Sequence, residues 1–460
     1  MEISDISYEL LHKYNVQGPR YTSYPPAPSW STDIGAADYE QIVRASNRTA
    51  LPAPVSLYFH LPFCESLCYF CGCTTVITGK NRSQESPYLN AVAREIDWLG
   101  NRVDRSRSVV QLHLGGGTPT YQSPESLQAL IGYVRKKFTV APNAEFGVEV
   151  DPRVTTPAHL EALRRAGFNR VSMGVQDFTP AVQEAINRVQ PFGPTRDLVA
   201  AARDLGYESV NIDLIYGLPH QTPDSFRSTI DQVLTIAPDR LAVYSYAHVP
   251  WMKKHQDLFA AHLPDERAKF QIFLTALKTF TEAGFVYIGM DHFARPDDEL
   301  ARARENGTLW RNFQGYTTKA GTDLFGLGMS AIGNVNNNYI QNQKELKTYQ
   351  GAIEGGSAAT LRGFRLSDDD KIRGRLIQSL LCHAVVKKAD IEAQFGIQFD
   401  SYFADALAQL KTLEADGLVE LSAGEIRPTG AGRVFLRNIA MPFDAYLPKD
   451  GEKRMFSRTV

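Results

Sequence analysis

The sequence lacks long apolar runs and a strong charge of either sign. No stretch approaches the roughly 18 consecutive apolar residues of a membrane-spanning helix. The first residues, MEISDISYELLHKYN, have no basic region followed by an apolar run, as a signal peptide would. The formal net charge is −2 at pH 7, which favours neither nucleic acid nor a membrane surface. We therefore expect a cytoplasmic protein without a membrane span and without a nucleic-acid partner.

Cysteine is also scarce, and its distribution is uneven. Four of the five cysteines lie in HLPFCESLCYFCGC, at positions 60–73, with the spacing C-x3-C-x2-C followed by x-C. Cytoplasmic thiols stay reduced, so the cluster indicates a metal site or redox chemistry, not a disulfide framework. The fifth, Cys382, stands alone in an apolar helical segment and is expected to be a buried core residue.

Short apolar runs alternate with helical patterns from about residue 55. The runs are VSLYFHLPF, VVQLHLGGG, AEFGVEVDP, RVSMGVQDF, SVNIDLIYG and RLAVYSYAHV. Helices between them are predicted to begin at hydroxyl–proline pairs, because such a residue caps the helix and proline fits its first turn. These pairs are Ser123-Pro124, Thr156-Pro157, Thr179-Pro180 and Thr222-Pro223, and predicted helix ends lie at Gly167 and Gly206. Six βα units predict an α/β fold with a partial (β/α)6 barrel, and an open doubly wound sheet is the competing layout.

The chemically unusual residues fall at the carboxyl ends of the predicted strands. The cysteines follow the first apolar run, and the glycines of 115–117 end the second. Glu149 and Gln176 end the next two, and Asp213 lies in the fifth. Since these ends meet at one edge of a parallel sheet, the pattern predicts a single site built from several strands.

The rest of the chain predicts flanking parts. Residues 265–285 form an amphipathic helical pattern followed by a strand-like FVYIGMDHF, and the polar, glycine-rich residues 295–365 predict loop-rich structure over the site. From 366, helices followed by a hairpin in LVELSAGEIRPTG resemble a winged helix without a basic stripe, which favours a packing or lid role. We predict an N-terminal extension over 1–50 that folds across the site, a catalytic domain over 51–365 and a mainly helical domain over 366–460.

The cysteine spacing leaves two kinds of site open. Three thiolates can ligate three irons of a four-iron cube and leave the fourth iron free for another ligand. Zinc sites normally use two separated pairs, and no second pair is present, although a structural zinc loop or metal-free cysteines remain alternatives. Phe70 could stack on an adenine, and the glycines of 115–117 allow a ligand close to the backbone.

The motifs together resemble a known family. RYTSYP at 20–25, YFHLPFCESLCYFCGC at 58–73, LHLGGGTPT at 112–120 and VEVDPR at 148–153 are joined by GFNRVSMGVQDF, NIDLIYGLP, GMDHFARPDDEL and RNFQGYTT. The chain resembles the radical S-adenosylmethionine enzymes and, within them, the oxygen-independent coproporphyrinogen III oxidases, over nearly its whole length. The resemblance implies an oxidoreductase of heme biosynthesis. Its deoxyadenosyl radical would convert two propionates of coproporphyrinogen III to vinyl groups, giving protoporphyrinogen IX.

The resemblance also implies cofactors and residue roles. One four-iron four-sulfur cluster would be held by Cys64, Cys68 and Cys71, with its fourth iron bound by S-adenosylmethionine. A second S-adenosylmethionine would lie beside the first. Positions matching the first molecule's site are Tyr58, Gly116, Glu149 and Ile332. Positions matching the second are Phe70, Gly117, Thr118, Gln176, Arg188, Asp213 and Ala247. Tyr58, Cys73 and Glu149 are the predicted catalytic residues, the electron donor would be a flavodoxin-type system, and the protein would be a monomer.

Some predictions come from the residues themselves. Tyr58 alternates with Leu57 and Phe59, so it faces away from them across the strand. Cys73 is too close to Cys71 to reach easily around a cube, and we predict that it is not a ligand but is needed for activity. A substrate with four carboxylates needs positive charge, and the candidates are Arg20, Arg295 and Arg311, each of which could instead tie loops together.

Two other functions fit parts of the pattern. A heme-trafficking chaperone of the same superfamily would share C-x3-C-x2-C, but such chaperones usually carry HNxxYW, which is absent here. Cys73, the N-terminal extension and GMDHFARPDDEL favour the oxidase. A zinc-stabilised regulatory protein with a winged-helix tail is the third hypothesis, and the polar residues at the strand ends argue against it.

Overall fold

A twelve-stranded sheet forms the centre of the structure, a computed structural model that describes residue 1, residues 3–448 and residues 456–459. Three small sheets accompany it. The strands in chain order are β1 (Val55–Leu61), β2 (Phe63–Cys64), β3 (Val76–Ile77), β4 (Val109–Gly116), β5 (Val140–Val150), β6 (Arg170–Gln176), β7 (Ser209–Tyr216), β8 (Arg240–Ser245), β9 (Val286–Gly289), β10 (His292–Ala294), β11 (Trp310–Asn312), β12 (Gly315–Thr317), β13 (Asp323–Leu327), β14 (Ile332–Val335), β15 (Asn338–Asn342), β16 (Thr360–Arg365), β17 (Val386–Lys387), β18 (Val419–Leu421) and β19 (Glu425–Pro428).

The large sheet contains the predicted parallel strands and curves into an open barrel. Its order is β16-β15-β14-β13-β1-β4-β5-β6-β7-β8-β10-β9. Strand β13 runs parallel to β1, and from β1 through β4, β5, β6 and β7 to β8 each strand is parallel to the next. Beyond β8 comes antiparallel β10, so β8 does not close onto β13. The predicted α/β fold with six βα strands in a partial barrel is confirmed.

Sixteen α-helices lie in the described part of the chain, and those between the parallel strands alternate with them in sequence. In chain order they are α1 (Tyr8–Tyr14), α2 (Ala36–Ser46), α3 (Glu85–Gly100), α4 (Pro124–Lys137), α5 (Pro157–Ala166), α6 (Pro180–Ala185), α7 (Phe192–Asp204), α8 (Pro223–Thr235), α9 (Glu266–Glu282), α10 (Glu299–Glu305), α11 (Leu346–Glu354), α12 (Asp368–His383), α13 (Lys388–Phe395), α14 (Phe399–Tyr402), α15 (Ala404–Ala415) and α16 (Leu436–Ala440). The four predicted proline starts are confirmed at α4, α5, α6 and α8. Gly167 and Gly206 follow α5 and α7 with φ of 107° and 77°, which a residue without Cβ adopts most readily.

The core lies between the sheet and these helices. Leu57 and Phe59 of β1 are fully buried on one face, whereas Tyr58 lies on the opposite face, as predicted, and is partly exposed. Burying a leucine or phenylalanine side chain contributes about 1.5–3 kcal/mol, so the alternation fixes which face of β1 meets the helices. Cys382 is buried in α12, as predicted.

The prediction that residues 295–365 are loop-rich is wrong. This part of the chain forms β11–β16, α10 and α11, and β14–β16 extend the large sheet. Its amide side chains satisfy their hydrogen bonds inside the protein: Asn342 Nδ2 donates to Glu95 Oε1 at 2.7 Å, for example. The predicted strand FVYIGMDHF divides at Met290, whose φ is 54°, into the antiparallel pair β9 and β10.

The two ends of the described chain meet. The predicted hairpin is confirmed as β18 and β19, which form a small sheet with β17 beside α12–α15. Between α1 and α2 the N-terminal segment is mostly irregular, and the Gly18 N–H donates to the Ser457 carbonyl at 3.1 Å. The boundaries 1–50, 51–365 and 366–460 stay a prediction, and residues 2, 449–455 and 460 lie outside the described part. No described helix has the length and apolar character needed to cross a membrane.

Candidate active site

A cavity of about 510 Å³ lies at the carboxyl ends of the parallel strands. Most of the predicted site residues line it, although they come from six separate segments of the chain. Those on its wall are Cys64, Cys68, Phe70, Cys71, Cys73, Gly116, Gly117, Thr118, Glu149, Gln176, Arg188 and Asp213. The arrangement follows from the parallel sheet, which brings the ends of β1 and β4–β7 to one edge.

Contacts with neighbouring segments hold the cysteine loop in place. Strands β2 and β3 pair parallel, with Cys64 opposite Ile77, and Cys64 Sγ lies 3.4 Å from Thr118 Oγ1. On the far side, the carbonyls of Cys71 and Cys73 accept hydrogen bonds from His255 Nε2 (3.1 Å) and Lys253 Nζ (2.7 Å). The loop is therefore fixed from both sides although it has little regular structure.

Two arginines contact the middle cysteine. Arg153 Nη2 lies 3.4 Å and Arg188 Nη1 3.5 Å from Cys68 Sγ. Both arginines also donate to Asp151, at 2.7 Å and 3.0 Å, and their charges lower the pKa of that carboxyl although burial opposes this. Arg188 Nη2 donates to the Gly174 carbonyl at 2.7 Å, and Arg188 Nε is buried without a partner in the described structure. Sequence analysis missed the roles of Asp151 and Arg153, although VEVDPR contained both.

The thiol environment suits an iron–sulfur cluster. The donors are thiols, and the guanidinium groups beside Cys68 can balance the negative charge of a cluster held by thiolates. Within the described ranges, no three His, Cys, Asp or Glu side chains are arranged to hold a single metal ion. The thiols of Cys64, Cys68 and Cys71 instead stand around a shared cavity, which fits a larger cluster.

The fourth cysteine of the loop affects the pKa of the third. The neighbouring Cys73 side chain is the largest cause that lowers the pKa of Cys71, to about 6, while burial raises the pKa of Cys64 to about 11. Cys73 itself is exposed, because it lies on the open wall of the cavity.

A network from β1 and β4 orients Glu149. His60 Nε2 donates to the Thr74 carbonyl at 2.8 Å, so neutral His60 can accept at Nδ1 from the Tyr58 hydroxyl 3.2 Å away. The Tyr58 ring stacks on His113 at 6.1 Å between ring centroids. His113 Nε2 lies 3.3 Å from Glu149 Oε1. Burial raises the pKa of Glu149, but the His113 contact and the Gly116 N–H, 3.3 Å from Oε2, outweigh it and lower the pKa.

Gly116 and Gly117 permit backbone approaches that no other residue allows. A Cβ on Gly117 would lie 2.4 Å from the Pro62 carbonyl oxygen, just before the cysteine loop. A Cβ on Gly116 would lie 2.8 Å from the His60 ring, and its φ of 112° also disfavours a side chain. The two glycines therefore set the distance between β4 and the start of the loop.

Asp213 and Gln176 form another part of the wall. Asp213 accepts from Ser172 Oγ at 3.0 Å and from Asn211 Nδ2 at 2.7 Å. Burial, helped by the charge of Glu149, nevertheless raises its pKa to about 7. Gln176 has a φ of 70° at the end of β6, a left-handed conformation that a non-glycine residue adopts only where its surroundings enforce it.

Three other predicted residues do not line this cavity. Tyr58 stacks on His113, which in turn lies beside Glu149. Ala247 is linked to the cysteine loop, because Gln256 Nε2 donates to its carbonyl at 3.3 Å and to the Phe70 carbonyl at 3.2 Å. Ile332 starts β14 and packs its backbone against Gly326, the register partner of Tyr58.

The candidate substrate arginines have different surroundings. Arg311 Nη1 donates to the carbonyls of Arg20 (3.0 Å) and Tyr21 (2.8 Å), so it ties the N-terminal segment to β11. Arg295 is 47% exposed, 3.9 Å from Asp297. Arg20 lines a second cavity, beyond the end of β8.

The fold and the three-thiol loop define a radical S-adenosylmethionine protein. The family model for the radical SAM superfamily matches residues 58–233, and that for the HemN C-terminal domain matches residues 366–435. The chain is 45% identical to the oxygen-independent coproporphyrinogen III oxidase of Pseudomonas aeruginosa, over 98% of both chains, and 44% identical to that of Escherichia coli, over 100% of both. It therefore belongs to the family of oxygen-independent coproporphyrinogen III oxidases.

A solved structure extends this similarity to three dimensions. The structure of coproporphyrinogen III oxidase from Escherichia coli, described as a radical SAM enzyme, matches with a TM-score of 0.91 at 43% identity. The match covers 97% of this chain and all of that one. These relatives favour the oxidase over the heme-chaperone alternative.

Proposed function

We propose that this chain converts coproporphyrinogen III to protoporphyrinogen IX without oxygen, as an oxidoreductase of heme biosynthesis. In this reaction each of two propionates loses a hydrogen atom from its β-carbon, carbon dioxide and one electron, which leaves a vinyl group. The observation that carries the proposal is the convergence of three thiols, beside two arginines, on one cavity at the strand ends. The relatives named above carry this activity in their names.

Cys64, Cys68 and Cys71 would hold a four-iron four-sulfur cluster. When bound, the cluster and S-adenosylmethionine supply a deoxyadenosyl radical that can remove hydrogen from an unactivated carbon. Arg153 and Arg188 would stabilise the negative thiolate of Cys68, because their donors already lie 3.4 Å and 3.5 Å from its sulfur.

One S-adenosylmethionine would bind against Tyr58, Gly116, Glu149 and Ile332. The Glu149 side chain is 46% exposed, and its carboxylate stays ionised, since the His113 contact and the Gly116 N–H outweigh burial and lower its pKa. It can therefore accept a hydrogen bond from a ligand ammonium group. Tyr58 keeps His60 and His113 in position around it.

A second S-adenosylmethionine would bind beside the first. Its proposed residues are Phe70, Gly117, Thr118, Gln176, Arg188, Asp213 and Ala247. All but Ala247 line the same cavity, and Gln256 links the Ala247 carbonyl to that of Phe70. Asp213, with a pKa near 7, can accept from or donate to ribose hydroxyls.

Cys73, the electron donor and the oligomeric state complete the proposed function. Cys73 would act in turnover without ligating iron, since it lines the same cavity as Cys71 and its side chain lowers the pKa of that thiol. Electrons would come from a flavodoxin-type system, and the protein would act as a cytoplasmic monomer.

The proposal is tested with anaerobically purified protein, S-adenosylmethionine, a reductant and coproporphyrinogen III. We expect protoporphyrinogen IX together with 5′-deoxyadenosine and methionine. Deoxyadenosine without a porphyrin product would keep the radical chemistry and reject the substrate. Neither product, from protein with its full iron content, would reject the oxidase function.

A further inference from the structure

A second cavity, of about 270 Å³, lies beyond the carboxyl end of β8. Its wall carries the cationic side chains of Arg20, Lys269 and Arg458 and the aromatic side chains of Trp251 and Phe456. None of the described residues on this wall is acidic. Cations beside apolar rings are suited to a ligand that is itself part carboxylate and part hydrocarbon.

Two of the three cations already have partners. Arg20 Nη1 lies 3.2 Å from Asp291 Oδ2, and Arg20 Nη2 donates to the Ser245 carbonyl at 3.4 Å. Arg458 Nη1 donates to the Asn15 carbonyl at 2.9 Å and lies 3.8 Å from Glu266. Each arginine thus has one nearby carboxylate, outside the cavity wall.

Lys269 has no carboxylate partner within the part of the chain that the structure describes. Its Nζ contacts the Tyr246 carbonyl at 3.4 Å and lies 5.8 Å from the centre of the Tyr216 ring. Its stem is fixed against Gly217, where a Cβ would lie 2.9 Å from Lys269 Cε. Burial first, and then the charges of Arg20, Arg437 and Arg458, lower the pKa of Lys269 to about 8, while Asp291 opposes them.

A neighbouring arginine cannot take the role of Lys269. Arg437 is buried and donates to the carbonyls of Pro19 (2.9 Å), Arg458 (2.8 Å) and Gly18. It adds positive charge behind the cavity while its own donors are used. Burying a cation without a counter-charge costs free energy. An anion that binds Lys269 therefore gains a hydrogen bond and also reduces the repulsion between Lys269 and the nearby arginines.

The cationic cavity adjoins the cysteine cavity. Tyr244, on the wall of the cysteine cavity, lies under the Arg20 guanidinium at 5.9 Å. Ala247, on the wall of the cationic cavity, is linked to Phe70 through Gln256. One large ligand could therefore extend from the reactive cavity into this one.

We propose that Lys269, with Arg20 beside it, binds a propionate carboxylate of the porphyrinogen and so positions the macrocycle across the cysteine cavity. This inference rests on the proposed function. It concerns which side chain binds the carboxylate, not whether the reaction occurs.

The test is a binding titration with coproporphyrin III, an air-stable porphyrin that carries the same four propionates, and with its tetramethyl ester, which carries none. Porphyrin fluorescence is followed on anaerobic, iron-loaded protein. The variants are Lys269→Met and Lys269→Gln, with Lys269→Arg as the charge-retaining variant. Lys278→Met is the matched control, because Lys278 lies on the same helix, is 75% exposed and lies 3.8 Å from Glu282.

We expect both neutral variants to raise the Kd of coproporphyrin III by about tenfold or more, because each loses one charge-assisted hydrogen bond. The ester should bind them as it binds the unaltered protein, and Lys269→Arg should keep most of the affinity. Neutral variants that keep both affinities, or lose both, would overturn the assignment. Unaltered protein that binds no porphyrin at all would reject the proposed substrate instead.

Discussion

The substitution Gly117→Ala should disable the site with a single methyl group. The new Cβ would lie 2.4 Å from the Pro62 oxygen and 2.5 Å from its carbonyl carbon, where ordinary contacts begin at 3.4 Å. Backbone on one side must move by about 1 Å. It cannot move freely, because the Gly117 N–H donates to the Leu61 carbonyl at 2.8 Å and the Thr118 N–H donates to the Phe63 carbonyl at 3.0 Å.

The displacement would fall on the segment that leads into Cys64. Overpacking of this kind destabilises a protein by about 1–3 kcal/mol. Misplacement of reacting groups by about 1 Å can lower a rate by roughly 100-fold. We therefore expect Gly117→Ala to remain folded but to form 5′-deoxyadenosine roughly 100 times more slowly.

The assay follows 5′-deoxyadenosine formation from S-adenosylmethionine with a chemical reductant, together with bound iron and urea unfolding. Gly72→Ala is the matched control, since Gly72 lies in the same loop and an added Cβ there meets nothing within 4 Å. A Gly117→Ala protein as active as the Gly72→Ala protein would refute the argument that this close approach positions the loop.

Two further predictions concern the cavity wall. Cys73→Ser should keep its iron but lose turnover, because Cys73 lies on the cavity wall beside the three proposed ligands without being one of them; unchanged product formation would contradict this. Asp213 has a pKa of about 7 in the folded protein against 3.8 for an unperturbed aspartate, so the folded state binds more protons and stability falls as pH rises between those values. Between pH 5.5 and 7.5 the free energy of unfolding, measured in urea, should fall on the order of 1–2 kcal/mol more in the unaltered protein than in Asp213→Asn. Equal pH dependence in both proteins would show that Asp213 ionises without penalty.

Much of the site could be predicted because parallel strands bring distant residues to one edge. The alternation of Leu57, Tyr58 and Phe59 gave the face of β1, and the position of Glu149 at the end of β5 placed it in the cavity. These predictions need only strand order and the two-residue period of a strand.

The other features of the site depend on contacts between residues that are far apart in the sequence. Arg153 and Arg188 are 85 and 120 residues from Cys68, so their contacts with its sulfur have no local sequence pattern, although Arg188 itself was among the predicted site residues. Lys269 lies in the amphipathic pattern of residues 265–285, where a lysine is an ordinary polar position.

The prediction of loop-rich structure for residues 295–365 is wrong for the same reason, because long-range contacts decide the structure there. A buried glutamate, Glu95, accepts from the Asn342 amide, the Tyr349 hydroxyl and the Gly328 N–H, each at 2.7 Å. A segment rich in asparagine and glycine can therefore be strand when its polar groups are paired internally.

The contact between residues 14–18 and 457–459 has a consequence for synthesis. The Thr459 N–H donates to the Val16 carbonyl at 2.8 Å, and Thr459 Oγ1 donates to the Tyr14 carbonyl at 2.6 Å. These pairs join residues more than 440 positions apart, so they cannot form until residue 459 has left the ribosome. The wall that carries Arg20 and Arg458 is thus completed after the cysteine loop, which emerges hundreds of residues earlier. The order of translation leaves the loop accessible to cluster assembly before the C-terminal residues reach their places.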